Sequence, residues 1–221
     1  MKISIRILLL MILLTCISCD AIKPVYKIDN SCPAPCWKGL NIGMRYEDAS
    51  KIVNQMKGYD VEEKLGLEGS TRIVLKTRGG ELSVLSFSDR LLIGMDFSYN
   101  KYLMKLPLSE VIKTYGDPDY AIVWFAGRPI NDINAVICYP ERGITIDLES
   151  IKASDNLNEF NYFFHENMNV EGILYDILQT DKSGFAWNDC KEPLDIALKH
   201  DWVGYGEYQA CDPQTNEFCE Q

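Results

Sequence analysis

The chain of 221 residues is 47% apolar and 24% charged, the proportions of a folded chain rather than a disordered or fibrous one. Its 22 basic and 32 acidic residues give a net charge of −10, which disfavours general binding to nucleic-acid backbones. Two histidines, His165 and His200, leave little material for histidine-rich metal sites or a histidine-driven active site.

Residues 1–18 have the layout of a secretory signal peptide. Lys2 and Arg6 form a positive start, and Ile7–Leu14 is an unbroken apolar run. That run is too short to cross a bilayer core, which takes about 20 apolar residues. Ser18-Cys19 then sets a small residue before a cysteine, which resembles the lipobox of bacterial lipoproteins. In that family the cysteine thiol receives a diacylglyceryl group and becomes the first mature residue. The resemblance implies lipidation at Cys19 and a mature chain that, without Lys2 and Arg6, carries a charge of −12. Cys16, after Leu13-Leu14-Thr15, is a competing acceptor with a less usual residue before it. Asp20 resembles the residue that retains lipoproteins at the inner membrane of some bacteria with two membranes. Two or more acyl chains hold a protein on a bilayer where one would not.

Residues 19–31 are polar and aperiodic and suit a tether. Six cysteines remain beyond Cys16 and Cys19, and an even count in an exported chain points to disulfides. Cys32 and Cys36, separated by Pro-Ala-Pro, form one plausible local pair, and Cys211 and Cys219 another. Cys138 either meets Cys190 or stays a buried thiol. The Cys32–Cys36 spacing does not match a C-x-x-C redox motif, and no second such motif completes a zinc site, so no metal or cofactor is expected.

The folded part begins near Cys32. Tyr46, Ala49, Ile52, Val53 and Met56 follow helical spacing over residues 45–56, with Gly58 suited to a left-handed end. The period then changes to two through Thr71–Thr77, Glu81–Ser88 and Leu91–Tyr99, joined by turns at Arg78-Gly79-Gly80 and Ser88-Asp89-Arg90. A second helix is expected over Leu108–Tyr115, preceded by Pro107 and closed by Gly116. Strands follow at Tyr120–Ala126, Ile133–Tyr139, Ile144–Glu149 and Val170–Leu178, with a turn at Pro140-Glu141-Arg142-Gly143. The expected fold class is α+β, built from two repeats of a short helix plus an antiparallel β-meander, at 32–100 and 101–180. A cysteine-containing extension occupies 181–221.

The segment Cys32-Pro-Ala-Pro-Cys-Trp-Lys-Gly-Leu-Asn-Ile-Gly resembles the Pro-Cys-Trp-x-Gly start of uncharacterised bacterial lipoproteins. Leu108-Ser-Glu-Val-Ile-Lys-Thr-Tyr-Gly-Asp-Pro-Asp looks like their second helix. Tyr139-Pro-Glu-Arg-Gly-Ile and Trp202-Val-Gly-Tyr-Gly resemble their later hairpin and aromatic-glycine segment. The helix ending in Tyr-Gly-x-Pro is also similar to repeats of beta-lactamase-inhibitory-protein-like folds. These include the small lipoprotein of the outer-membrane barrel-assembly machinery. Such folds bind and scaffold without known catalytic residues. The resemblance thus implies an extracytoplasmic module held on the cell membrane by its N-terminal lipid, with an envelope protein or polymer as partner.

Chemistry has few candidates. No G-x-S-x-G elbow announces a serine nucleophile. His165 reads as a surface or strand-end histidine, and His200 and Asp201, neighbours in sequence, need not face each other in space. The many carboxylates make any one glycosidase-like pair uninformative, and Asp117-Pro-Asp119 does not match a calcium loop. The expectation is therefore no enzyme, the alternative being an envelope hydrolase with an unrecognised carboxylate site. Among the aromatics, Trp124 is expected in the core and Trp37 against the first helix. Trp202 and Tyr205, in a glycine-rich stretch, are the candidates for an exposed binding face.

Overall fold

A computed structural model describes residues 28–29, 32, 35–65, 70–77, 80–97, 106–125, 132–152, 161–176, 190 and 198–210. The leader, Cys16, Cys19, most of the tether, Trp187 and the Cys211–Cys219 pair lie outside the described residues. A two-strand ribbon, β1 (Cys36–Trp37) and β2 (Leu40–Asn41), opens the described fold and turns through Lys38 and Gly39, both at positive φ. Cys32 and Cys36 stand at disulfide distance, with Cα atoms 5.8 Å apart, and fix this entry locally. Trp37 is fully buried and packs edge-on against Phe97 (4.8 Å) and Tyr59 (6.2 Å).

Helix α1 (Tyr46–Gln55) buries Ala49 and Val53, while Tyr46, Ile52 and Met56 pack partly buried at its flanks. The 3.6-residue period thus lays one stripe on the sheet. Glu47 and Asp48 sit in its first turn, where the helix dipole favours negative charge, and Glu47 pairs with Arg90. The chain then runs through β3 (Asp60–Leu65), β4 (Thr71–Thr77), β5 (Gly80–Ser88) and β6 (Leu91–Asp96), all antiparallel neighbours. Asp89 and Arg90 both take positive φ in the two-residue turn from β5 to β6, the geometry that matches strand twist.

Strand β7 (Leu106–Pro107) leads into α2 (Leu108–Tyr115), which buries Leu108, Val111 and Tyr115. After it come β8 (Tyr120–Phe125), β9 (Asp132–Tyr139), a 3₁₀ turn at Pro140–Arg142, β10 (Ile144–Leu148) and the short β11 (Ile151–Lys152). Strand β12 (Asn161–Phe164) leaves the main sheet, β13 (Asn169–Asp176) returns to it, and β14 (Leu198–Asp201) and β15 (Gly206–Gln209) complete the described chain.

The main sheet runs β14-β8-β9-β10-β13-β6-β5-β4-β3, with β11 added beside β9 and β7 beside β13. Strand β13 therefore stands between the two meanders, pairing Leu174 with Asp96 and Tyr175 with Met95 on one side and Ile173 with Ile146 on the other. Direct cross-strand partners share a face. One transverse row reads Ile73, Leu85, Met95, Tyr175, Ile144, Tyr139, every member buried, and it lies in the same core as both helices. The next row, on the far face, reads Val74, Val84, Asp96, Leu174, Thr145, Cys138, Tyr120. The fold is thus a β-rich α+β fold, mostly antiparallel sheet with two short helices among the described residues.

Cys138, fully buried on that far face, meets Cys190 at a Cα separation of 5.7 Å. Of the two outcomes left open in the sequence, the disulfide is the one observed. Ile122, Val136, Tyr120 and Trp124 pack around it, and the Tyr120 hydroxyl donates to the Cys190 carbonyl (2.6 Å). Trp124, expected in the core, packs half-buried against this cluster, because alternation along β8 turns it with Ile122 to the far face.

Gly116 ends α2 at φ +79°, ψ −171°, backbone that only glycine adopts without strain, and its N–H donates to Ile112 O (2.8 Å). The Tyr139 hydroxyl donates to its carbonyl (2.9 Å), tying the helix end to the sheet. An added Cβ would meet no neighbour within 4 Å, so strain alone sets the cost. Gly116→Ala is expected to lower stability by about 1–3 kcal/mol. A urea midpoint equal to that of the parent chain would show that the helix end relaxes freely.

Candidate functional site

Strands β12 and β15 form a separate ribbon that lies on the helix side of the sheet, next to α2. Its register pairs Tyr162 with Tyr208 and Phe164 with Gly206 on the inner face, and Asn161 with Gln209 and Phe163 with Glu207 on the outer face. Tyr162, Phe164 and Tyr208 are buried in the main core. Phe164 is the hub: its ring lies edge-on to Tyr208 at 4.6 Å, Tyr162 at 4.8 Å and Trp202 at 5.4 Å. Such edge-to-face pairs add about 0.5–1.5 kcal/mol each beyond the area they bury.

The polar ends of these rings are satisfied inside the fold. Tyr162 donates to Glu149 O at 2.6 Å. Tyr208 donates to Gly204 O (2.8 Å) and accepts from Val203 N–H (3.0 Å), which pins the loop between β14 and β15. The His200 ring nitrogen Nε2 lies 2.7 Å from Gln209 O and closes the gap between β14 in the main sheet and β15 in the ribbon. The β14–β15 hairpin therefore splits, one arm in each sheet, and Trp202–Tyr205 is the bend between them.

Of the two residues expected to be exposed, the structure separates Trp202 from Tyr205. Trp202 is half-buried, stacked on Tyr208 (5.8 Å, 26° between planes) and 6.1 Å from Tyr205. It supports the bend. Tyr205 is 44% exposed, and two further apolar side chains, Val203 at 84% and Phe163 at 57%, are exposed on the same bend and ribbon. The other large apolar side chains exposed among the described residues, Leu65 and Leu91, belong to the first meander. Sequence reading passed over Phe163 because Tyr-Phe-Phe in a row hides the alternation. The period-two signal was nonetheless there, with Tyr162 and Phe164 in and Phe163 out.

Electrostatics reinforce the layout. Burial first, then the charges of Glu166 and Asp117, push the Tyr205 phenol above its usual range. Asp117 and Asp119, in the turn from α2 to β8, are exposed, and Trp202 N–H donates to Asp119 O (3.4 Å). His165 is exposed in the turn after β12. On the far face of the sheet, Val74, Ser86, Cys138, Thr145 and Asp176 are buried. Among the described residues, no group of three or more His, Cys, Asp or Glu side chains is placed to hold a metal ion. No protein family, curated protein or solved structure was found to match this chain.

Burial also raises Tyr162 and Tyr208 above the ordinary phenol value, and raises Tyr139 beside them. A phenol whose folded pKa is raised contributes stability that is complete below the unfolded value near 10 and is lost as pH climbs past it. Tyrosine absorbance is therefore expected to titrate in two stages, exposed rings first and the ribbon rings with unfolding above pH 10. A single step near 10 that leaves the fold intact would contradict this packing.

Proposed function

We propose that this chain is a non-catalytic binding or scaffolding module of the cell envelope, lipid-anchored through Cys19, facing the extracytoplasmic side. It docks another envelope protein at the β12–β15 ribbon and the Trp202–Tyr205 bend. The observation that carries the docking reading is the exposure of Phe163, Val203 and Tyr205 on a base of interlocked, hydrogen-bonded rings. Aromatic side chains fixed in advance lose little conformational freedom on binding, and they supply much of the energy at protein interfaces.

In this reading the fold derives from a duplicated unit. Leaving aside the short β11 and the ribbon strand β12, each helix leads into four strands of the main sheet, β3-β4-β5-β6 after α1 and β8-β9-β10-β13 after α2, and the two sets meet at β6 and β13. That order is what two copies of a helix-plus-meander repeat give when related by a two-fold axis, and it supports the likeness to tandem-repeat binding folds. The anchor rests on the signal-like start and Ser18-Cys19.

Two measurements test the proposal. Cys19→Ser is expected to abolish metabolic palmitate labelling, and label retained on that variant would move the anchor to Cys16. Benzoylphenylalanine at position 203 is expected to cross-link one discrete envelope protein in cells, while the same group at position 65 gives none. Identical cross-linking patterns from both positions would remove the bend from consideration as a docking face.

A further inference from the structure

Four carboxylates flank the exposed bend: Asp117 and Asp119 from the turn after α2, Glu166 from the turn after β12 and Glu207 from β15. All four residues are exposed, and none forms an ion pair with another described residue. Glu207 accepts only from the neutral Asn161 amide (2.6 Å).

Compensating charge is sparse among the described residues near the bend. Within segments 116–119, 161–169 and 198–210 the one Lys or Arg is Lys199. It pairs with Ile122 across the strands, on the far face, and its ammonium sits 3.9 Å from the centre of the Tyr120 ring. Arg142, in the 3₁₀ turn, acts on Tyr139 as Asp117 and Tyr205 also do, but forms no ion pair with a described carboxylate. Of the histidines, His200 is engaged by Gln209 and His165 faces solvent. An apolar patch is thus rimmed by unpaired negative charge on a chain that is itself acidic.

We infer that the occupant is a basic polypeptide segment, with a lysine or arginine side chain laid on the Tyr205 ring between Asp117 and Glu166 and apolar neighbours against Val203 and Phe163. The inference rests on the docking reading above and adds the chemistry of the partner. Anionic headgroups and anionic polymers would be repelled by the same carboxylates. A cation over a tyrosine face gains from the ring quadrupole and, beside two carboxylates, from ion pairing. Each contact is modest at an exposed site, so together they account for about a tenfold difference in affinity.

The test uses the full-length chain in detergent and three probes: a fluorescent octapeptide of alternating lysine and leucine, its glutamate counterpart, and vesicles of phosphatidylglycerol. The lysine peptide is expected to bind with an affinity that falls with salt, and the glutamate peptide and the vesicles to bind far more weakly. Asp117→Asn with Glu166→Gln should weaken the lysine peptide about tenfold. Tyr205→Ala should weaken it severalfold while Tyr205→Phe, which keeps the ring, does not. Asp60→Asn with Glu63→Gln, the same charge change on β3, should leave it within about twofold. Equal losses from the two double variants would reduce the effect to diffuse net charge and overturn the inference. Preferential binding of vesicles, lost in Tyr205→Ala, would overturn it in favour of a membrane surface. Cross-linking from position 203 that persists in Asp117→Asn with Glu166→Gln would keep the docking site and reject a basic occupant. Failure of cross-linking in the parent chain would strike the docking reading itself.

Discussion

The pairing of β6 with β13 is the contact on which the rest of this molecule depends. Without it there would be two small antiparallel meanders, each with an open edge and a helix too short to be stable by itself. With it, Met95 and Tyr175 become neighbours in a continuous buried row from Ile73 to Tyr139, and both helices share one core. The Phe97 N–H donates to Ile173 O (3.0 Å), extending the seam by one residue beyond β6. Gly94 stands opposite Asp176 on β13. The buried hydroxyls of Tyr115 and Tyr175, 2.9 Å apart, carry the connection from the seam to α2.

That seam also decides where a functional surface is available. One sheet face is covered by the helices and the ribbon, and the far face is buried along its centre, with Cys190 linked to it through Cys138. Apart from Leu65 and Leu91 on the first meander, the exposed large apolar side chains among the described residues stand on the ribbon and where the chain changes sheet. The bend between β14 and β15 is such a place. Its outward residues are held by contacts that all point inward: Val203 N–H to Tyr208, Trp202 on Phe164 and Tyr208, His200 to Gln209. A surface of this kind is preorganised by the core behind it.

Much of the local structure was legible in the residues. The stripe Leu108, Val111, Tyr115 and the glycine at 116 gave α2 with its ends, and strict alternation through Leu91–Asp96 and Ile144–Leu148 gave β6 and β10. Strand β3, Asp-Val-Glu-Glu-Lys-Leu, was missed because it is a charged edge strand whose polarity protects an unpaired edge rather than marking a loop. Strand β14, Leu-Lys-His-Asp, was missed for the same reason at the opposite edge. The insertion of β13 between β10 and β6 is a long-range pairing, and period-two patterns specify a strand without its neighbour. Among site residues, the glycine-rich context pointed to Tyr205, but it could not show that Trp202 would turn inward, since only the folded ribbon supplies the rings it stacks on.

Strand β13, among the innermost of the main sheet, is synthesised after both of the strands it joins. Residues 169–176 leave the ribosome some 70 residues after β6 is complete, so until then β6 is an unpaired edge beside a finished four-stranded half. Closing so distant a contact is entropically slow, which makes the half-made chain adhesive for as long as it waits. Any cellular route that brings this protein to its destination has to shield that edge until the chain is complete.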